Sequence, residues 1–398
     1  MVQIVLDFTL GGNNFIGCVV TSSASGVVET TQGLADTGFT LAESDTASGI
    51  FSGTFQIPAN ACTSTDANQS STGLDLEANY TDFLDASGNL MEVGAGATIT
   101  ATSGSVSLDR QVYPVPWEAG DFVDHADANI AAGSIVVTIS VTDADYNTSP
   151  VGEDKIASGD VVLKAYRGSD STVIDSTLEL VETAADSGTF EVEVTIPATT
   201  TIDSVKLKQG DILTAEFTDP TDASGNEYLN TDSSTLDLRT GSLISDKSVY
   251  VTGSDAILSI VDPDLNLDSG TVESYVLNLI EWDSDAATVN LGAETEFDPE
   301  PSLFRETGAN TGVFQVVIEI PDSINSENLD SGESIDLEYV DHGTAGEDNY
   351  STTSTEDIGL TIYSSNFGAT IELDKKVYTW TDRVFVNITA PDHNTDSG

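Results

Sequence analysis

The sequence predicts an all-β chain of tandem immunoglobulin-like antiparallel β-sandwich domains. Three observations carry that expectation: one block recurs three times, strand-like segments alternate with period two, and no stretch sustains helical periodicity. The block reads FTLAESDTASGIFSGTFQIP from Phe39 to Pro58, LELVETAADSGTFEVEVTIP from Leu178 to Pro197 and PSLFRETGANTGVFQVVIEIP from Pro301 to Pro321. A Glu, a Gly and a closing Ile-Pro return each time. The closing prolines Pro58, Pro197 and Pro321 stand 139 and 124 residues apart, the length of a small domain rather than of a solenoid turn.

Two more markers fix the phase of the repeat. The turn DASGN occurs at Asp85 to Asn89 and at Asp222 to Asn226, with the looser TAGEDN at Thr344 to Asn349. The block Asp-x-x-Val-Tyr occurs at Asp109 to Tyr113, Asp246 to Tyr250 and Asp374 to Tyr378. Strands are expected at Ile135 to Val141, Val161 to Tyr166, Thr189 to Ile196, Asp211 to Phe217 and Val313 to Ile320, each rich in β-branched or aromatic residues between Gly, Pro, Asn and Asp. With the Val-Tyr block as each unit's first strand, the units are 1–103, 104–239, 240–367 and 368–398. The first then lacks its first two strands, and the last supplies only two. A piece cut from a longer polypeptide is the simple reading of such ends. The alternative is that the surplus strands complete the first domain of a neighbouring chain.

The chain carries 67 Asp and Glu against 12 Lys and Arg, a formal net charge of −55, which repels nucleic acid and attracts cations and basic partners. Acidity of that degree in a disordered chain would come with few aromatics, whereas Phe, Tyr and Trp make up 7% here and hydrophobic residues 39%. No stretch approaches the roughly 20 apolar residues that span a bilayer, and Met1 leads into strand-like sequence without a signal peptide's basic start. Cys18 and Cys62 lack metal or redox spacing and fall in one unit, so a disulfide within it and two buried thiols both stay open. Sequons at Asn68, Asn79, Asn147, Asn349 and Asn387 permit glycosylation.

One constellation could carry chemistry. In the loop after each second strand, oxygen-bearing residues alternate: Asp143, Asp145 and Asn147; Asp262, Asp264, Asn266 and Asp268; Asp392, Asn394 and Asp396. Oxygens at i, i+2 and i+4 can converge on one hard cation, the logic of a calcium loop, although Leu267 stands where an EF-hand needs Gly. In an immunoglobulin-like sandwich this loop meets the loop between the last two strands at the N-terminal pole. That places Asp219 and Asp222 beside Asp143 and Asp145, and Asp341, Glu347 and Asp348 beside Asp262, Asp264 and Asp268; Asp82 and Asp85 hold the corresponding places in the first unit. Structural Ca²⁺ at these interdomain poles is the expectation, against the simpler reading that Asp and Asn serve backbone turns.

Catalytic signatures are missing. His125, His342 and His393 are scattered, and no nucleophile elbow, dinucleotide fingerprint or P-loop occurs. Trp117, Trp282 and Trp380 are read as filling cores or domain junctions. The chain is therefore expected not to be an enzyme.

The phrase LDKKVYTWTDRVFVNITAPDHNTDSG from Leu373, its cousin ISDKSVYVTGSDAILSIVDPDLNLDSG from Ile244, the E-T/S-x-x-x-S/T-G-x-F blocks and the DASGN turns together resemble the repeats of surface-layer proteins of ammonia-oxidising archaea. The resemblance covers most of the chain. It implies tandem immunoglobulin-like domains on the cell surface, self-association into a two-dimensional lattice, and acidic pores that bind cations and favour ammonium. An adhesin or filament subunit assembled by strand donation is the rival expectation, and an accessory module of a secreted hydrolase a third.

Overall fold

The computed structural model describes residues 4–10, 13–23, 26–31, 41–53, 57, 60–62, 68–70, 72–122, 130–149, 151–365, 369–390 and 393. Its fold is all-β, with antiparallel immunoglobulin-like sandwiches. No helix among the described residues is long and apolar enough to cross a membrane.

The second unit consists of two five-stranded sheets. One orders its strands Ser105–Leu108, Ile135–Thr142, Thr189–Ile196, Leu180–Glu182 and Lys155–Ile156; the other orders Val112–Pro114, Tyr228–Asp237, Ile212–Asp219, Val161–Arg167 and Asp170–Asp175. The third unit repeats this topology. Its first sheet is Ser242–Ser245, Asp255–Val261, Val313–Glu319, Glu300–Glu306 and Ser274–Tyr275; its second is Val249–Tyr250, Glu356–Ser364, Ser334–Asp341, Ile280–Asp283 and Thr288–Asn290.

Period-two patterning does what it predicts. Ile135, Val137, Ile139 and Val141 are fully buried while the residues between them face outward. Each such side chain contributes about 1.5–3 kcal/mol over leaving it exposed. Trp282 and Tyr339 fill the third unit's core, and Phe190 and Phe217 fill the second's.

The Asp-x-x-Val-Tyr block explains how the first strand serves both sheets. Ser105–Leu108 pairs antiparallel with the second strand, and Val112–Pro114 pairs parallel with the last. Asp109 sits at the crossing, where its Oδ1 accepts from the Tyr113 hydroxyl at 2.5 Å and from the Thr138 N–H at 2.7 Å. The same bonds run from Tyr250 and Ile257 to Asp246, and from Tyr378 and Phe385 to Asp374. Asp and Tyr recur because the sheet switch needs one acceptor and one donor reaching it.

The second unit differs by an insertion. Asp109 and Thr138 are 29 residues apart, against 11 for Asp246 and Ile257. The extra segment carries Trp117 and Phe122, both buried, to Tyr350 and His342 of the third unit, with ring centroids 5.0 Å and 4.9 Å apart. Trp117 is therefore a junction residue and Trp282 a core residue, whereas Trp380 is fully exposed.

In the first unit the described strands Ile4–Leu10, Asn13–Ser23, Gly26–Thr31, Asn60–Cys62, Asn68–Ser70, Asp75–Asp82 and Met91–Thr98 form one sheet. Leu74 is buried, but Phe83, Leu84 and Leu90 are exposed. Ile16 pairs with Cys62, two positions from Cys18; whether the two sulfurs bond lies outside the described side chains. Thr370–Leu373 and Val386–Thr389 form the hairpin of the fourth unit.

Candidate cation site at the N-terminal poles

In both complete units the predicted loops meet where the chain enters the sandwich. Asp143 and Asp219 approach through Gly104: its N–H donates to Asp219 Oδ2 at 2.9 Å, and a Cβ there would lie 2.8 Å from Asp143 Oδ2. Only glycine lets the linker come so close. Gly241 repeats the arrangement, donating to Asp341 Oδ2 at 2.8 Å and lying against Asp262. The second aspartate of each loop holds the linker two residues earlier. Asp145 accepts from the Thr102 N–H at 3.0 Å, and Asp264 from the Arg239 N–H at 2.6 Å. The acidic pole is thus a clamp on the interdomain linker.

Buried carboxylates this close together hold their protons more tightly. Burial first, then the Asp219 charge, pushes Asp143 up to about 6 against the opposing Asp145 N–H. Burial likewise raises Asp262, Asp264 and Asp341, opposed at Asp264 by the Arg239 guanidinium.

The other predicted ligands lie elsewhere. Asp82, Asp85 and Asp222 cap their own turns, Asp85 through Ser87 and Asn89 and Asp222 through Ser224 and Asn226. Asp268 caps Gly270. Asp348 reaches back to Lys208 of the second unit at 2.8 Å, and Glu347 accepts from Ser354. Asp392, Asn394 and Asp396 lie outside the described residues, as does His125. Among the described residues no three His, Cys, Asp or Glu side chains are grouped to hold a metal ion. Of the sequons, Asn147 donates its amide to Asp186 at 3.1 Å, Asn349 is half-buried and Asn387 is exposed; the Asn68 and Asn79 side chains lie outside the description.

Three partners of the poles escaped the sequence reading. Arg110 crosses the junction, donating to the Asn266 carbonyl at 2.7 Å and to Asn266 Oδ1 at 2.8 Å. Arg239 pairs with Asp264, and Tyr339 donates to Asp262 Oδ2 at 2.6 Å. The arginines carried a signal, because basic residues are scarce and both stand at unit edges. The tyrosine carried none.

The third unit also holds a carboxyl pair that the second does not. Glu306 Oε1 accepts from Thr311 and Gly312, Glu273 Oε1 from Leu267 and Asp268, and the remaining Oε2 of each is buried with no donor besides the opposite carboxyl. Burial and the neighbouring Glu306 raise the Glu273 carboxyl. In the second unit the equivalents Asp154 and Glu182 find backbone donors instead and are held below the usual carboxylate range.

No protein-family model and no curated protein matches the chain. Among solved structures it is similar to the Yersinia pseudotuberculosis adhesin InvE, at 13% identity over 65% of this chain and 58% of the adhesin, with a TM-score of 0.20. Murine CEACAM1b matches at 11% identity over 66% of this chain and 99% of its own, with a TM-score of 0.17. The Escherichia coli alpha-2-macroglobulin in its native conformation matches at 13% identity over 98% of this chain and 22% of its own, also with a TM-score of 0.17. The chain spans less than two thirds of the adhesin's length, and likenesses this slight carry no argument about function.

Proposed function

We propose that the chain is a structural, non-catalytic segment of an archaeal surface-layer protein, exposed on the outside of the cell. Its tandem sandwiches tile a two-dimensional lattice, an acidic interdomain pole binds Ca²⁺ where the protein does not itself partner the carboxylates, and its surface concentrates cations, ammonium among them. The observation that carries this reading is the junction between the second and third units. There the linker backbone, Arg110 and the Trp117–Tyr350 contact tie two sandwiches end to end, as a load-carrying sheet requires, on a chain bearing −55 charges. The second unit's pole fits a hard cation through its buried Asp143, which keeps one oxygen without a partner. Bound there, Ca²⁺ would neutralise carboxylates that otherwise repel; the chain's own part is to hold the linker against them.

Envelope fractionation tests the assignment. The protein is expected in the detergent-resistant envelope fraction and in the supernatant after treatment with a chelator; recovery with the cytosol would overturn it.

A further inference from the structure

The poles of the second and third units share one backbone plan and differ in two partners. Tyr339 precedes Asp341 by two residues and gives its hydroxyl to Asp262 Oδ2. Phe217 holds the equivalent place before Asp219, has nothing to donate, and packs beside Gly104. Asp143 Oδ2, the counterpart of Asp262 Oδ2, is buried in a residue only 1% exposed and has no hydrogen-bond partner. In the linker, Arg239 brings a guanidinium to 3.3 Å from Asp264, where the second unit has the uncharged Thr102 at Asp145. Asn147 Oδ1 is likewise buried with no partner.

The third pole's carboxylates are therefore partnered from within the protein, by the Arg239 guanidinium against Asp264 and a phenol against Asp262. At the second pole no Lys or Arg forms an ion pair with Asp143, Asp145 or Asp219 among the described residues. A buried carboxylate oxygen without a donor is costly, and so is an uncompensated cluster of like charges.

Resting on the cation-binding reading above, we propose that an inorganic divalent cation does at the second pole what Tyr339 and Arg239 do at the third. The site is confined to the second unit. Asp143 Oδ2 and Asn147 Oδ1 are the oxygens left for the ion, and Asp145 and Asp219 supply adjacent charge. A mixed amide and carboxylate set suits a hard ion such as Ca²⁺. Asp145 is exposed and completes the shell by releasing Thr102, which couples ion binding to the set of the linker.

The internal repeat supplies the test. Phe217→Tyr with Thr102→Arg installs the third pole's hydroxyl and guanidinium in the second. Thermal unfolding of the full chain is followed at fixed pH and ionic strength, with Ca²⁺ against Na⁺. The double variant is expected to melt at least as high as wild type in chelator and to bind Ca²⁺ about tenfold or more weakly. Should that variant not fold, Asp143→Asn provides the same reading, since it removes the orphaned charge and is expected to weaken the Ca²⁺ response while raising the melting temperature in chelator. A Ca²⁺ response equal to wild type in the variant that folds would overturn this assignment while leaving calcium binding intact. No Ca²⁺ response in the wild type would overturn both.

Discussion

Glu43, Glu182 and Glu306 show at the residue scale what the recurrent Glu and Gly of the repeat are for. Each carboxylate accepts from the N–H of the glycine six residues later, Gly49, Gly188 or Gly312, at 2.8–2.9 Å. Each glycine has a positive φ near 60–67° that an L side chain adopts only under strain. Glu182 also serves Ser187 and Asp154, so Glu182→Ala leaves three donors unpaired, and the melting temperature should fall by several degrees. Glu306→Ala should cost less, because it relieves the pair with Glu273. Equal losses in calorimetry would contradict that contrast.

The sign of the pH dependence follows from the same residues. Glu273 has a folded pKa above its unfolded value, so it removes stability as pH rises through that interval. Glu182 and Asp154 are held low, and their contribution is present above the unfolded pKa and lost as pH falls through the folded value. Without divalent ions, melting temperature should rise between about pH 8 and about pH 5, and Glu273→Gln should flatten that rise. The recurrence of Glu and Gly was plain in the sequence; their bond was not, because it depends on a left-handed turn that spacing does not specify. Tyr339 and Phe217 were equally opaque, since an aromatic in a strand reads as core whether or not its hydroxyl is used.

At the element scale, the inserted segment decides how the second and third units meet. Trp117 donates to the Ala131 carbonyl, leaves no room for a side chain at Gly133, and packs its ring at a tilt against Tyr350. Trp117→Ala should cost about 3–5 kcal/mol, the usual range for a buried tryptophan, and should speed proteolysis near residues 239 to 245. Unchanged cleavage there would show that the insertion does not hold the junction. The alternating strands were legible because their period is intrinsic to the pleat, and the sheet switch announced itself through Asp and Tyr. The insertion showed only as unequal spacing, and its docking partner lies more than 200 residues away in sequence. The poles were half legible: alternating acids indicated convergence, but not that linker N–H groups would occupy so many of their oxygens.

At the scale of the whole molecule, a charge of −55 enriches monovalent cations near the surface without selecting among them. That enrichment decays over a Debye length of about 8 Å at physiological ionic strength. Preference for ammonium over sodium would require narrow acid-lined openings in an assembly. Assembled layers should therefore take up a higher ammonium-to-sodium ratio than dispersed protein at equal mass and salt, and equal ratios would leave only a generic polyanion. That expectation depends on the assembly being a sheet. Negative-stain electron microscopy of the native assembly in Ca²⁺ tests this most directly: sheets with a regular two-dimensional repeat that disperse in chelator are expected, and threads or isolated particles would contradict a lattice.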